Sequence, residues 1–262
     1  MIRAMRTAAS GMQAQQMQVD TIANNIANVN TNGYKKNQLS FRSLMYRTFR
    51  EPGAPTSASQ NNPTGLQVGS GTEIASSTKL FMQGDLEPTA NPLDVGISGE
   101  GFFELSTAGG GTAYTRDGSF RRDSTGLLVN SDGFALEPQI TIPADATEVS
   151  IGQDGTVSVT QAGSATPTVV GNITLVRFPN PAGLKALGGN MFSETASSGS
   201  PTSQTPGATG TGVLRQSFRE RSNVAIVDEL IALIEAQRNY EVNSRTIKVS
   251  DEMMQQVGNL VR

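Results

Sequence analysis

Neither cysteine nor histidine occurs anywhere in the 262 residues. Together the two absences remove thiol nucleophiles, Cys or His metal sites, Ser-His-Asp triads and imidazole acid–base chemistry. An enzyme made of this chain would have to run on carboxylates, Lys, Tyr or an oxygen-ligated metal. Without Cys there is no disulfide, so the sequence suits a reducing or an oxidising compartment alike. Trp is missing too, aromatics are only 5%, and a hydrophobic fraction of 36% is low for one compact core of this length. With 28 Gly and 12 Pro, the composition points to an extended or many-layered chain. The formal net charge of -3 argues against nucleic acid as the main partner. Charge is unevenly spread: residues 1–50 carry Arg3, Arg6, Lys35, Lys36, Arg42, Arg47 and Arg50 against one acid, Asp20.

What is present is organised by the two ends. Ile226, Leu233, Tyr240, Ile247, Met254 and Val261 recur every seven residues, and no proline follows Pro206. Such a repeat lays a slowly winding apolar stripe along an α-helix and requires a helical partner. Four residues further on stand Leu230, Gln237, Ser244, Asp251 and Gly258, of which only Leu230 is a good second knob. From Val224 to Ala236 apolar residues point all round the helix, which implies several neighbours at once. That run is too short and too charged to cross a bilayer. At this point two outcomes stand open: a helix packed on its own domain, or one that meets other copies of the chain.

The first thirty residues mirror the tail. Met5, Met12, Val19 and Ile26 recur at seven, with Ala8, Ile22 and Val29 flanking them. This is a second amphipathic helix of about eight turns, roughly 42 Å long against about 60 Å for the C-terminal one. A signal peptide or a mitochondrial-type presequence fits poorly, because Gln and Arg interrupt the apolar run and Asn follows it. The expectation is a cytoplasmic chain or one exported without a cleaved leader. Asn24, Asn25, Asn28, Asn30 and Asn32, closing on Gly33, predict a helix stop followed by a turn.

Residues 38–50 are mixed apolar and basic, and 51–72 read as an exposed loop or loosely held hairpin whose only large apolar residues are Leu66 and Val68. Strands are expected to resume at Glu73–Phe81. Turn signals at Asp117-Gly118, Gly126, Asp132-Gly133 and Asp154-Gly155 separate short β-branched or aromatic runs, among them Thr156–Thr160 and Val169–Phe178. That spacing predicts an antiparallel sandwich or barrel over about Pro92–Phe192. Glu100, Glu104, Asp117, Asp123, Asp132 and Asp154 are the acids available for a carboxylate pair, but most flank turn glycines, where Asp serves the turn itself. No calcium-loop spacing is present, and Gly109-Gly110-Gly111 opens no helix, so it is a turn rather than a phosphate cradle. From Ala196 to Gly212 every residue except Gln204 is Gly, Ala, Ser, Thr or Pro, a linker composition.

Several of these stretches resemble one family. Asn24–Lys35 looks like the N-terminal motif of the bacterial flagellar axial proteins (rod, hook and hook-associated), and Ser222–Val224 through Ala236–Glu241 to Asp251–Met254 resembles their C-terminal motif. Asn91–Val95, Gly101–Phe103, Tyr114–Phe120, Pro179–Leu184 and the segment Arg50–Gln67 are similar to the distal-rod branch of that family, end to end.

The resemblance implies an α+β fold with paired, coiled-coil-like terminal helices flanking a nested, mainly antiparallel β region. Implied domains are 1–32 with 220–262 (helical inner tube), 33–91 with 193–219 (intermediate, with a polar insertion at about 46–72) and 92–192 (outer, all β). It implies a non-enzymatic subunit without cofactor or metal that polymerises into the straight distal rod of the basal body, transmits torque to the hook and encloses the export channel. A proximal rod or hook protein is the alternative within the family, and a secreted carbohydrate-active or adhesive β protein outside it. The expected assembly interface is Met5, Met12, Val19, Ile22, Asn24, Asn25, Ile26 and Asn28 with Ile226, Leu230, Leu233, Gln237, Arg238, Tyr240, Ile247 and Met254. Tyr46, Arg50, Pro52, Gly65 and Leu66 are expected in the rod-straightening insertion. Implied partners are further copies of the chain, proximal rod and hook proteins, the P- and L-ring bushings, the rod cap and the flagellar type III export apparatus, with no nucleic acid and no membrane insertion. The implied location is the rod spanning the periplasm. Because an isolated helix this rich in Asn and Gln is marginal in water, the termini are expected to be mobile in the free monomer and to order on assembly.

Overall fold

The computed structural model describes residues 2–53, 55–57, 60–61, 63–107, 109–162 and 166–260, so Val261, last of the seven-residue track, lies outside the described residues. The fold is α+β: two terminal helices flank a mainly antiparallel β region. It divides into a helical unit (1–26, 37–78 and 225–262) and a β unit (27–36 and 79–224).

In the helical unit, α1 spans Ile2–Ala27 and α2 spans Ile226–Leu260. Within the described residues each covers its seven-residue track, 5–26 on α1 and 226–254 on α2. Residues 51–72, expected as an exposed loop or loosely held hairpin, take the hairpin form and continue with their flanks into a ribbon of nested pairs over 37–79. Asn37–Ser43 pairs with Thr72–Lys79, Arg47–Arg50 runs antiparallel to Leu66–Val68 and Pro55–Ser57 to Gln60–Asn61. Residues 54, 58, 59 and 62 of the insertion lie outside the described residues. The ribbon closes tightly where Pro52 and Gly65 face each other: a Cβ at Gly65 would stand 2.7 Å from Pro52 Cδ. It meets α1 where Ser10 Oγ accepts a hydrogen bond from the Thr72 amide, 3.4 Å away.

The β unit holds a seven-stranded sheet in the order 121–122, 128–129, 135–137, 103–106, 112–115, 191–193, 185–188, and a three-stranded sheet of 146–151, 156–161 and 168–172. Val95–Ser98 pairs with Val213–Gln216, and Leu86–Pro88 with Phe218–Glu220, so the returning chain is stitched to the segment that enters. The core gathers alternate residues of these strands, including Val95, Ile97, Phe103, Leu105, Leu136, Val157, Val159, Leu175 and Leu214. Each contributes roughly 1.5–3 kcal/mol by leaving water. A second cluster of Phe81, Phe102, Tyr114, Phe178 and Phe192 is held by edge-to-face ring contacts.

Three sequence expectations change here. Asp117-Gly118 is not a hairpin, because its flanking strands pair elsewhere: 112–115 with 103–106 and 191–193, and 121–122 with 128–129. Instead, Asp117 Oδ1 accepts the Ser119 amide at 3.0 Å, and the Gly118 carbonyl accepts the Val95 amide at 2.9 Å. The run Val169–Phe178 is two strands in different sheets, Thr168–Asn172 and Leu175–Arg177, with Ile173 buried between them. The Gly/Ser/Thr-rich stretch 196–212 is not a loose linker. Thr202–Gln204 pairs with Leu175–Arg177, and the Gly212 amide donates to the Glu100 carbonyl at 2.7 Å. Positive φ at Gly199, Gly207 and Gly210 permits successive tight turns, and hydroxyls such as those of Ser198 and Thr211 satisfy the backbone inside them.

The Asn-rich stop is as the sequence implies. α1 ends at Ala27, the Thr31 amide returns to the Asn28 carbonyl at 3.2 Å, and Gly33 takes φ +66. A Cβ at Gly33 would lie 2.7 Å from the Asp117 amide nitrogen. Gly33→Ala is therefore expected to cost about 2 kcal/mol or more, combining left-handed strain with backbone crowding, and to show as a lower urea midpoint at unchanged slope.

Candidate assembly surfaces

The terminal helices pair antiparallel. A Cβ at Gly11 would lie 3.0 Å from Asn243 Nδ2, and Asn25 Nδ2 donates to Glu229 Oε2 at 3.2 Å, so fourteen steps forward on α1 match fourteen back on α2. Ala8, Ala14, Ile22 and Asn25 are the buried residues of α1; Met5, Met12, Val19 and Ile26 are half-buried, as is Asn28 beyond the helix end, and Asn24 is exposed.

On α2 the expected track is only partly turned inward. Leu233, Ile247 and Met254 are half-buried, whereas Ile226, Leu230, Gln237, Arg238 and Tyr240 are exposed. The second seam runs three rather than four residues after the first: Glu229, Ala236 and Ser250 are buried and Asn243 half-buried. Small and amide-bearing residues let the backbones approach closely, but they bury little apolar surface. Asn25 secures the end of the seam, since its amide also exchanges two 3.0 Å hydrogen bonds with the backbone of Asn37.

Apolar residues are left facing outward. Val227 is 69% exposed, and Leu230, Ile231 and Ile234 are each about half exposed on the first three turns of α2. Gln237 and Tyr240 line, with Val19, a groove of about 380 Å³ along the helix pair. On the ribbon, Met45, Tyr46, Phe49, Leu66 and Val68 are all exposed, as are Arg50, Pro52 and Gly65. Clusters of exposed apolar side chains on this scale mark binding surfaces.

The β unit carries a buried ionic node. Glu220 Oε1 accepts Lys35 Nζ at 2.6 Å and the Gly84 amide at 2.8 Å; Oε2 accepts Arg116 Nε at 2.9 Å. Lys35 also donates to the Met82 carbonyl, and Arg116 to those of Gly99 and Gly101. Nearby, Asn223 bonds Lys36, Leu80 and Met82, tying the chain before α2 to the strand entry. Burial pushes the Lys35 ammonium down from 10.5 to about 8; Glu220 opposes this and Arg116 adds to it. With the folded value below the unfolded one, both states hold the proton below pH 8. Between pH 8 and 10.5 only the unfolded state keeps it, so this term raises stability as pH rises. Comparing urea midpoints, the native chain is expected to gain on the order of 3 kcal/mol relative to Lys35→Met across that window.

The acids considered for catalysis are dispersed. Glu100 pairs with Arg177 at the surface, Asp123, Asp132 and Asp154 serve turns, and Asp117 binds Ser119. Glu104 faces Glu137 across adjacent strands, and partial burial, with Glu137 and Glu194 near, raises its pKa. Among the described residues no cluster of His, Cys, Asp or Glu is arranged to hold a metal ion, and no helix is long and apolar enough to cross a membrane.

Paired terminal helices around a nested β region define a class, the flagellar rod and hook proteins, and three family models match in that order. They are the flagella basal body rod protein at residues 5–35, the flagellar hook protein FlgE/F/G D1 domain at 96–159 and the flagellar basal body rod FlgEFG protein C-terminal region at 215–260. The chain is 46% identical over 264 residues to the flagellar basal-body rod protein FlgG of Borreliella burgdorferi, covering 100% of both chains. It is 44% identical over 260 residues to FlgG of Buchnera aphidicola from Acyrthosiphon pisum (99% of this chain, 100% of the relative) and 45% identical over 260 residues to FlgG of Caulobacter vibrioides (99% of each). The chain belongs to the FlgG family of flagellar basal-body rod proteins.

Proposed function

We propose that this chain is a structural subunit that polymerises into the straight, rigid distal rod of the flagellar basal body, transmits motor torque to the hook and encloses the export channel. The observation that carries this is the conjunction of full-length identity to rod proteins with an apolar face on α2 that the single chain leaves open. Of the named residues, the exposed Ile226, Leu230, Gln237, Arg238 and Tyr240 of α2 form the copy-to-copy wall of the tube, while Ile22 and Asn25 hold the helix pair together within one chain. Tyr46, Arg50, Pro52, Gly65 and Leu66 belong to a ribbon that stiffens the polymer by bridging neighbours. Export through the flagellar type III apparatus, and contacts with proximal rod, hook, rod cap and the P- and L-ring bushings, complete the proposal, with the rod crossing the periplasm.

The seam between α1 and α2 holds Gly11, Gln18, Asn25, Ala236, Asn243 and Ser250, so pairing within one chain gains little, and assembly supplies the rest. The test is limited proteolysis with mass spectrometry on dilute protein and on isolated basal bodies. Cleavage within residues 1–35 and 220–262 in the dilute sample, with protection in the particle, is expected. Resistance in the dilute monomer, or absence of the chain from the rod, would refute the proposal.

A further inference from the structure

The groove between the first turns of α1 and the ribbon has a volume of about 450 Å³ and gathers three guanidinium groups, from Arg3, Arg6 and Arg47, around Ser10 and Leu44. Arg3 and Arg47 lie 5.4 and 5.2 Å from the centre of the exposed Phe49 ring. Among the described residues none of the three arginines forms a salt bridge. Like charges gathered beside apolar surface are mutually unfavourable until an anionic partner arrives.

The same unit carries the complement at its other end. From Gly11 to Ala27 the only charge of α1 is Asp20, and the first three turns of α2 hold Asp228, Glu229 and Glu235 with no cation before Arg238. Glu229 turns inward to Asn25, while Asp228 and Glu235 are exposed. Spacings of three and four put Asp228, Ile231 and Glu235 on one stripe, bordered by Val227 and Ile234. One surface therefore offers carboxylates edged by aliphatics, and the other guanidinium groups edged by Leu44 and Phe49.

We propose that this groove seats the start of α2 from a second copy of the chain, with Asp228 and Glu235 against Arg3, Arg6 and Arg47. The proposal rests on the rod-subunit reading and specifies one of its contacts. Because α1 and α2 run antiparallel, the arginine end and the acidic end are opposite ends of the helix pair, so no copy can fill its own groove. A contact between two different surfaces is heterologous, and where its rotation does not close into a ring it propagates as an open helical polymer. The acids near the C-terminus, Asp251 and Glu252, do not serve this role: they lie at the arginine end of their own helix pair, and Asp251 already accepts from Gln255 at 3.1 Å. Arg–carboxylate pairs enclosed by apolar neighbours are directional and fix register as well as affinity.

The test uses full-length chain in cells that have no other copy. Arg47→Glu alone and Glu235→Arg alone are each expected to lower the amount in isolated basal bodies at least about tenfold, and the double variant to restore it to within about threefold. Because the chain has no cysteine, a second measurement is free of background: Ser70→Cys and Ile231→Cys carried on separate, co-expressed copies are expected to give a disulfide-linked dimer in oxidised rods, and either alone none. Normal incorporation of either single charge variant, a double no better than the singles, or intact rods without the dimer would each overturn the groove contact while leaving the rod reading in place. Absence of the unaltered chain from the rod would instead overturn that reading.

Discussion

Glu220→Gln is expected to destabilise the β unit by about 3–5 kcal/mol, the usual cost of stranding buried charge by removing its partner. The side chain is fully enclosed, and it is the shared acceptor for Lys35 and Arg116, themselves 0% and 4% exposed. A glutamine keeps the shape and can still accept the Gly84 amide, so the loss reports charge rather than a cavity. For a unit of this size roughly 2–4 °C of melting temperature accompany each kcal/mol, which puts the expected shift near 10 °C by calorimetry. Lys35 is the weaker cation, already lowered to about 8, so without Glu220 it should release its proton more readily, and the defect should narrow as pH is raised. Adding Lys35→Met is expected to recover part of the loss, because it removes one of two stranded charges while Arg116 keeps its carbonyl partners. A Glu220→Gln chain that melts with the native one would show that the node contributes no net charge pairing.

This node is also where the sequence was least informative. Lys35, Arg116 and Glu220 stand far apart in the chain, each beside a turn or strand end, and no periodicity joins them. Only the family motifs marked their neighbourhoods. The terminal helices, by contrast, were legible because a seven-residue repeat is a local property, and so was their need for a helical partner; the antiparallel direction was not. Nor was their second seam, because Glu229, Ala236, Asn243 and Ser250 do not read as knobs; small or hydrogen-bonded contacts such as Gly11 against Asn243 and Asn25 to Glu229 make that seam. In the β unit, Asp132-Gly133 and Asp154-Gly155 announced their turns, since the residues that make a tight turn are contiguous. Asp117-Gly118 misled for the complementary reason: the strands on either side have stronger partners elsewhere, and tertiary pairing overrode the local signal. The stretch 196–212 looked like a linker because glycine and hydroxyl residues serve packed turns as readily as open ones.

Leu230→Asp is expected to abolish incorporation into the rod while leaving the free chain as stable as before, within about 0.5 kcal/mol, since exposed substitutions rarely exceed that. Leu230 is 46% exposed and belongs to the outward face with Val227, Ile231 and Ile234. A carboxylate there meets water in the monomer and an apolar neighbour in the polymer, so nearly the whole penalty falls on assembly. Burying it without a partner costs several kcal/mol per contact, and a helical lattice repeats that cost at every subunit. Leu233→Asp makes the contrast. Its side chain is half-buried against α1, so it should both open the helix pair, raising amide exchange along α1, and block incorporation. Ile26→Asp, half-buried near the other end of the seam, should behave like Leu233→Asp. The β unit, with its own core, should keep its melting temperature in all three. Normal rods built from Leu230→Asp would mean that the open face of α2 is not a subunit contact, and the apolar stripe would then need another partner.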